Sequence, residues 1–261
     1  MLQSAKALRN YTIRAKDGDV GKIHEFYFDD KDWGIPYLVV DTSNWLPGRK
    51  IIISPDSFGH PDEEAGVLPV ALTKEEVRNR PDVSKEQAAA EHYEASSLLS
   101  NYAGPPVDQL GGGLFEEEHI GMDPDSMIQT VKAKEEAEQR LSKRIRKVRQ
   151  GGAILQSTKQ VMGNYIQAQD GEIGHVEDFI IDDDSWTICY LVIDTVNWLP
   201  GKKVLVSPRW IERIDWNASK VYIDLNRAAI KNSPEYDSTN PLDRAYEEQL
   251  HRYYDRPGYW G

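Results

Sequence analysis

Short apolar runs separated by acidic or glycine-containing turns make up most of this chain, and they recur in the same order twice. Segments 20–29 and 173–182 are rich in β-branched and aromatic residues and end in the acidic turns Asp29-Asp30 and Asp182-Asp183-Asp184, a strand-then-turn pattern. Asp17-Gly18 and Asp170-Gly171 sit just before them between apolar runs, which predicts hairpin turns, because Asp-Gly accepts the positive φ such turns need. Further strands are expected at 35–41 and 188–194, and at 50–54 and 203–207. Pro47-Gly48 and Pro200-Gly201 supply the fixed and the positive φ of a type II turn between them. A fifth hairpin is clear only in the second half, at 210–215 and 220–225; in the first half 59–64 reads as a looser loop. Short helices at 73–79 and 226–232 close both halves, with Thr73 and Asn226 as N-caps.

The two halves are copies. Residues 13–82 align with 166–235 without a gap, and YLVVDTSNWLPG at 37–48 returns as YLVIDTVNWLPG at 190–201. The unit is longer than a solenoid repeat and has the size of a small domain. So few short strands cannot cover two broad sheets, so closure into a small barrel or half-barrel is expected. Between the copies, 84–100 reads as a helix followed by a proline tail, Gly111 to Gly113 as a flexible linker, and 126–150 as a long helix. In that long helix Val131, Ala137, Leu141, Ile145 and Val148 recur at helical spacing. The C-terminus repeats the arrangement, with a helix at 242–252 and the aromatic tail Tyr253, Tyr254, Tyr259 and Trp260.

This order of strand, Asp-Gly-Asp/Glu-Val/Ile-Gly, strand, Asp-Asp, Trp, Tyr-Leu-Val-Val/Ile-Asp-Thr, turn, strand and Ser-Pro resembles the PRC-barrel domain. That family includes the cytoplasmic domain of the photosynthetic reaction centre H subunit and the C-terminal domain of the ribosome maturation factor. The resemblance implies a mainly β fold of two tandem PRC-like β-barrels joined by a helical linker, with a helical C-terminal tail. The expected boundaries are 1–83 for the first barrel, 84–105 for a helix and proline tail, 106–150 for the linker and long helix, 151–237 for the second barrel and 238–261 for the tail. It also implies docking within larger assemblies and carries over no catalytic residue.

The formal net charge of -12 argues against a general nucleic-acid binder, since such proteins need Lys and Arg to displace counterions. No apolar run reaches the length of a membrane helix and the first ten residues lack a signal-peptide core, so a cytoplasmic location, with peripheral contact to the inner membrane, is expected. The single cysteine, Cys189, lies in an apolar run and reads as a buried thiol. The histidines share no zinc-type spacing, the recurring aspartates suit turns, and phosphate-loop signatures are absent, so no metal, cofactor or catalytic set is expected. Trp45 and Trp198 are either plugs of the barrel end or anchors for a partner. Lys143, Arg144, Arg146, Lys147 and Arg149 form a basic patch suited to an acidic partner or anionic lipid. The tail residues Tyr253, Tyr254, Tyr259 and Trp260 should dock on a partner or on the first barrel of this chain. The expected function is a non-enzymatic adaptor in a protein complex or in self-association. The alternatives are a peripheral membrane component of photosynthetic or electron-transfer complexes and, behind it, a ribosome or RNA maturation role.

Overall fold

The structure, a computed structural model, describes residues 1–80, 155–195, 202–240 and 242–260. The helices expected at 84–100 and 126–150, the linker glycines and the turn at Pro200-Gly201 lie outside the described residues. The chain is mainly β and forms two separate sheets. In the first repeat β1 (Leu2–Ser4) and α1 (Ala5–Asn10) lead into β2 (Thr12–Ala15), β3 (Gly18–Asp29), β4 (Tyr37–Asp41), β5 (Lys50–Ile53), β6 (Val67–Pro69) and α2 (Lys74–Arg78). The second repeat follows the same plan. It runs β7 (Leu155–Ser157), α3 (Thr158–Val161), β8 (Tyr165–Ala168), β9 (Gly171–Asp182), β10 (Thr187–Asp194), β11 (Lys203–Val206), β12 (Ile211–Asp215), β13 (Lys220–Ile223), α4 (Arg227–Asn232) and finally α5 (Arg244–Tyr253).

Local chemistry explains most of these elements. The Asp-Gly turns form, and each turn aspartate also caps the closing helix: Asp17 accepts from the Lys74 amide and Asp170 from the Arg227 amide, both at 2.7 Å. Thr73 and Glu76 make a complete capping box, and Asn226 accepts from the Ala229 amide. Gly48 has φ +75, and the Arg49 amide donates to the Leu46 carbonyl, the geometry expected of Pro47-Gly48.

Strand order is β5-β4-β3-β2-β6 in the first sheet and β11-β10-β9-β8-β13-β12 in the second, with β2 and β6, like β8 and β13, running parallel. Among the described residues neither path of hydrogen-bonded strands closes on itself, so the closed form of the expected barrel or half-barrel is not made as a continuous ladder. The long strands β3 and β9 instead do double duty. A register shift breaks each of them, between Ile23 and Glu25 in β3 and opposite the Val192/Ile193 step in β9. Such a bulge bends a strand so that its two ends serve different neighbours.

The end of each long strand is completed by the other repeat. The tripeptide Leu-Gln-Ser occurs at 2–4 and again at 155–157. As β1 it pairs with Ile180 to Asp182 of β9, and as β7 it pairs with Tyr27 to Asp29 of β3. The exchange brings with it a matched pair of polar contacts. Asp178 of β9 accepts from the Ser4 hydroxyl at 2.5 Å and the Lys6 amide at 3.2 Å, while Glu25 of β3 accepts from the Thr158 hydroxyl at 2.8 Å and the Lys159 amide at 3.1 Å. Both carboxylates are buried, and each is held by polar groups where α1 or α3 begins. Burial pushes the Asp178 carboxyl above the usual range, against the bonds that hold its charge.

Between β1 and β7 the two repeats also touch along a twofold relation. Gly34 and Thr187, equivalent positions in the repeat, form an antiparallel bridge with each other. On either side, the Ile35 amide donates to the Trp186 carbonyl at 2.8 Å and the Ile188 amide to the Trp33 carbonyl at 2.9 Å. Trp33 and Trp186 sit at φ +58 and +50, a conformation that costs a bulky residue about 1–3 kcal/mol. The strain is tolerated because it aims each carbonyl at the opposite repeat and lets the indoles pack, Trp33 on Phe28 and Trp186 on Phe58. Buried residues from both repeats then form one continuous core. Cys189 lies in it, as its apolar run implies. Among the described residues no helix is long and apolar enough to cross a membrane.

Gly21 and Gly174 are needed where the long strands pass the next connection. They have φ +147 and +153, and a Cβ added there would lie 2.0 Å from the Asp41 carbonyl oxygen and 1.9 Å from that of Asp194. Gly21→Ala and Gly174→Ala should each destabilise the fold by about 3 kcal/mol. Gly48→Ala, facing open space at φ +75, should cost only about 1 kcal/mol. Urea denaturation of the three variants checks this; equal losses would show that the close approach does not matter.

Candidate functional site: the aromatic cap of the second sheet

The C-terminal helix has a single inward stripe. Asp243 caps α5 by accepting from the Tyr246 amide at 2.8 Å, and Glu247, Leu250, His251 and Tyr254 then fall at the spacing that puts side chains on one face. All four are buried against the second sheet. The tail therefore docks on the second repeat, its own, and not on the first as the sequence left open.

The stripe carries polar groups to a buried tyrosine. Tyr190 of β10 donates its phenolic proton to Glu247 Oε1 at 3.0 Å, and its oxygen lies 2.9 Å from His251 Nε2. One phenol has one proton, so with Glu247 receiving it His251 must donate from Nε2 to the phenol oxygen. Arg244 reaches Glu247 from the rim at 3.1 Å. Around this polar chain are rings: Trp210 is 5.3 Å from His251 and 4.8 Å from Tyr254, Tyr259 is 6.1 Å from Tyr190, and Trp260 is 4.9 Å from His251. The Arg244 guanidinium lies 4.1 Å over the Trp260 ring, a cation–π contact.

Burial dominates the electrostatics. It raises the Glu247 carboxyl despite bonds from Tyr259 and Tyr190 and the Arg244 charge, and it lowers the His251 imidazole. Tyr190 and Tyr259 are pushed far above the ordinary phenol range, first by burial and then by the neighbouring Glu247 and Cys189. Burial also raises the Cys189 thiol to about 11, which keeps it protonated and poorly nucleophilic at neutral pH. The cluster thus joins a carboxyl, an imidazole and phenols in one shared network beneath α5. Its evident physical effect is to latch the helix and tail onto the sheet. Two aromatic side chains stay at the surface of this cap, Tyr253 at 40% and Trp260 at 38% exposure. Tyr253 donates to the Ala229 carbonyl at 2.7 Å and borders a groove of about 410 Å³ lined also by Asp224, Asn226 and Arg256.

The first repeat lacks this satisfaction at the equivalent place. Tyr37 is fully buried and stacked 5.0 Å from Tyr27, yet its hydroxyl has no hydrogen-bond partner among the described residues. Trp45 donates from Nε1 to the Val20 carbonyl at 2.9 Å and is flanked by Lys74 and Arg78, so it is held against its own repeat. Trp198 and the basic patch Lys143, Arg144, Arg146, Lys147 and Arg149 lie outside the described residues. The structure also gathers His60, Asp183 and Asp184, with His60 Nδ1 3.6 Å from Asp184; these could hold a metal ion, although Asp183 is engaged with the Met1 amino group. Their separation in sequence hid this grouping. Glu247 and His251 were also missed, although their helical spacing beside Leu250 and Tyr254 was a usable signal. No protein-family model matches this chain, and no curated protein does.

Tyr190→Phe should destabilise the protein by about 1–3 kcal/mol, since it strands two buried polar partners, whereas Tyr37→Phe should be neutral or stabilising. Chemical denaturation of the two variants distinguishes these outcomes. A second expectation concerns alkaline pH. The Tyr236 and Tyr254 phenols rise to about 12 from 10.0, and the Cys189 thiol to about 11 from 9.0, in each case first through burial. The folded state then binds protons more tightly than the unfolded chain, so stability is intact below pH 9 and is lost as pH rises from there towards 12. A melting temperature that held constant over that range, followed with tyrosinate absorbance, would contradict it.

Proposed function

We propose that this chain is a non-enzymatic adaptor of PRC-barrel type, in which two half-barrels are joined into one body that presents an aromatic rim to a partner protein. The observation that carries this reading is the pair Tyr253 and Trp260, exposed on a tail whose neighbouring residues are locked to the sheet. Tyrosine, tryptophan and arginine are the residues that most often dominate protein interfaces. Here Tyr253, Trp260 and Arg244 lie on one cap, and the rings start from fixed positions, which lowers the ordering cost of binding. Reciprocal strand exchange supports the scaffold half of the reading, since a rigid body holds its docking surface in one geometry. The register shift in each long strand, the paired ends borrowed from the other repeat and the shared core support the half-barrel.

The test is affinity purification of the tagged full-length protein from its native cell, beside the double variant Tyr253→Ala, Trp260→Ala. The expected result is a stoichiometric partner whose recovery falls about tenfold or more in the variant, while the melting temperature changes by only a few degrees. Equal recovery of the partner by both proteins would overturn the assignment of the rim, and recovery of the chain without any partner would overturn the adaptor reading.

A further inference from the structure

The short helices that follow the exchanged strands touch each other, and the residues at the point of contact are unlike in charge. Arg9 of α1 and Met162, the residue after α3, are the same position in successive copies, 153 apart as Gly34 and Thr187 are. They also meet: Arg9 Nη1 lies 3.5 Å from Met162 Sδ. Equivalent residues in contact mark the twofold axis of a symmetric pair. The Arg9 side chain is only 16% exposed there and is held from both repeats. Its Nη2 donates to the Thr158 hydroxyl at 2.7 Å and lies 3.6 Å from Glu25, and the guanidinium sits 5.4 Å over the Phe26 ring. Thr158 donates in turn to Glu25 at 2.8 Å, so the second repeat supplies the hydroxyl that joins an arginine and a carboxylate of the first.

The exchanged strands themselves do not discriminate. Leu-Gln-Ser is identical at 2–4 and 155–157, and a ladder of backbone bonds accepts either copy. Selection therefore falls to side chains near the axis. If a first repeat paired with the first repeat of another molecule, Arg9 would face Arg9 in a site largely removed from water, where like charges are poorly screened. The counterpart of Thr158 is Ala5, which offers no hydroxyl to Arg9 or to Glu25. Two second repeats would set Met162 against Met162, which brings no charge to the axis.

We infer that the junction face of the first repeat is a selective interaction surface and that Arg9 sets its partner: a repeat with an uncharged side chain at the Met162 position and a hydroxyl at the Thr158 position, and not a second copy of the first repeat. Within this chain the second repeat meets both conditions. Attraction to Thr158 and Glu25 favours the correct pairing, and repulsion between two arginines works against the wrong one. The surface includes no residue of the aromatic cap, and the inference does not depend on the adaptor reading.

The experiment uses the full chain carrying Cys189→Ala and Gly34→Cys, so that a single thiol reports on the axis. A Cβ at position 34 meets open space, and Gly34 is the non-hydrogen-bonded residue of its bridge, a spacing at which two thiols reach each other. In the intrachain pairing that thiol faces Thr187, and only a second molecule paired through its own first repeat brings it a disulfide partner. The protein is unfolded in urea and refolded with a mild oxidant at about 1 mM, at or above the effective concentration that a long connecting segment provides, beside Arg9→Met and Arg9→Lys in the same background. The expected result is little disulfide-linked dimer with Arg9 or Arg9→Lys and about tenfold more with Arg9→Met. Equal amounts in all three, or as much from Arg9→Lys as from Arg9→Met, would overturn the inference. Met162→Arg tests the axis from the other side, without the reporter thiol: it should melt several degrees below Met162→Leu, and equal melting temperatures would also overturn it.

Discussion

The structure depends on one constraint: the far end of a long, bent strand must be paired. β3 and β9 each bend at a bulge, and the part beyond it would carry unpaired amides and carbonyls if each repeat folded alone. Leu2–Ser4 and Leu155–Ser157 meet that need reciprocally. The other features of the junction follow. Two backbone hydrogen bonds beside Gly34 and Thr187 require tryptophan carbonyls to be turned outward, and positive φ at Trp33 and Trp186 turns them. The first residues of α1 and α3 arrive beside a bulge on the opposite repeat, and a carboxylate at each bulge meets them. Individually these contacts are modest; together they are cooperative because each needs the strand exchange to exist.

Twofold organisation makes the differences between repeats informative. Tyr190 and Tyr37 are the same residue at the same position and equally buried, yet among the described residues the Tyr190 hydroxyl has hydrogen-bond partners and that of Tyr37 has none. Burial alone therefore does not account for the polar cluster under α5. The helix stripe of Glu247 and His251 creates it, and the rings of Trp210, Tyr254, Tyr259 and Trp260 close over it. The tail is aromatic because it must lie flat on an apolar sheet while leaving a polar chain intact beneath.

Much of each repeat was legible in the sequence because its signals are local. Asp17-Gly18, Pro47-Gly48, Thr73 and Asn226 do in the structure what their chemistry dictates within four residues of themselves. The exchange was not legible from periodicity, since Leu-Gln-Ser is too short to show a period of two, and its choice of partner is made by tertiary structure. Its recurrence at both 2–4 and 155–157, ahead of the aligned repeat, was nevertheless a signal that the unit begins earlier. Barrel closure was inferred from the need to remove sheet edges. The chain meets much of that need by borrowing a strand, which leaves each ladder open. The cap was half visible: its aromatic residues stood out, whereas Glu247 and His251 looked like ordinary polar positions of a helix until Tyr190 was placed beneath them.

A bridge between Gly34 and Thr187, which are the same position in successive copies, carries an implication about descent. Equivalent residues meet in this way on the axis of a symmetric dimer. A single-copy ancestor could have satisfied its long strand only by finding another molecule of itself, at whatever concentration the cell provided. Joining two copies in one chain replaced that encounter with an intramolecular one. It also released the halves from having to be identical, so that an arginine could stand in one where the other has a methionine, and an aromatic cap could be elaborated on one side alone.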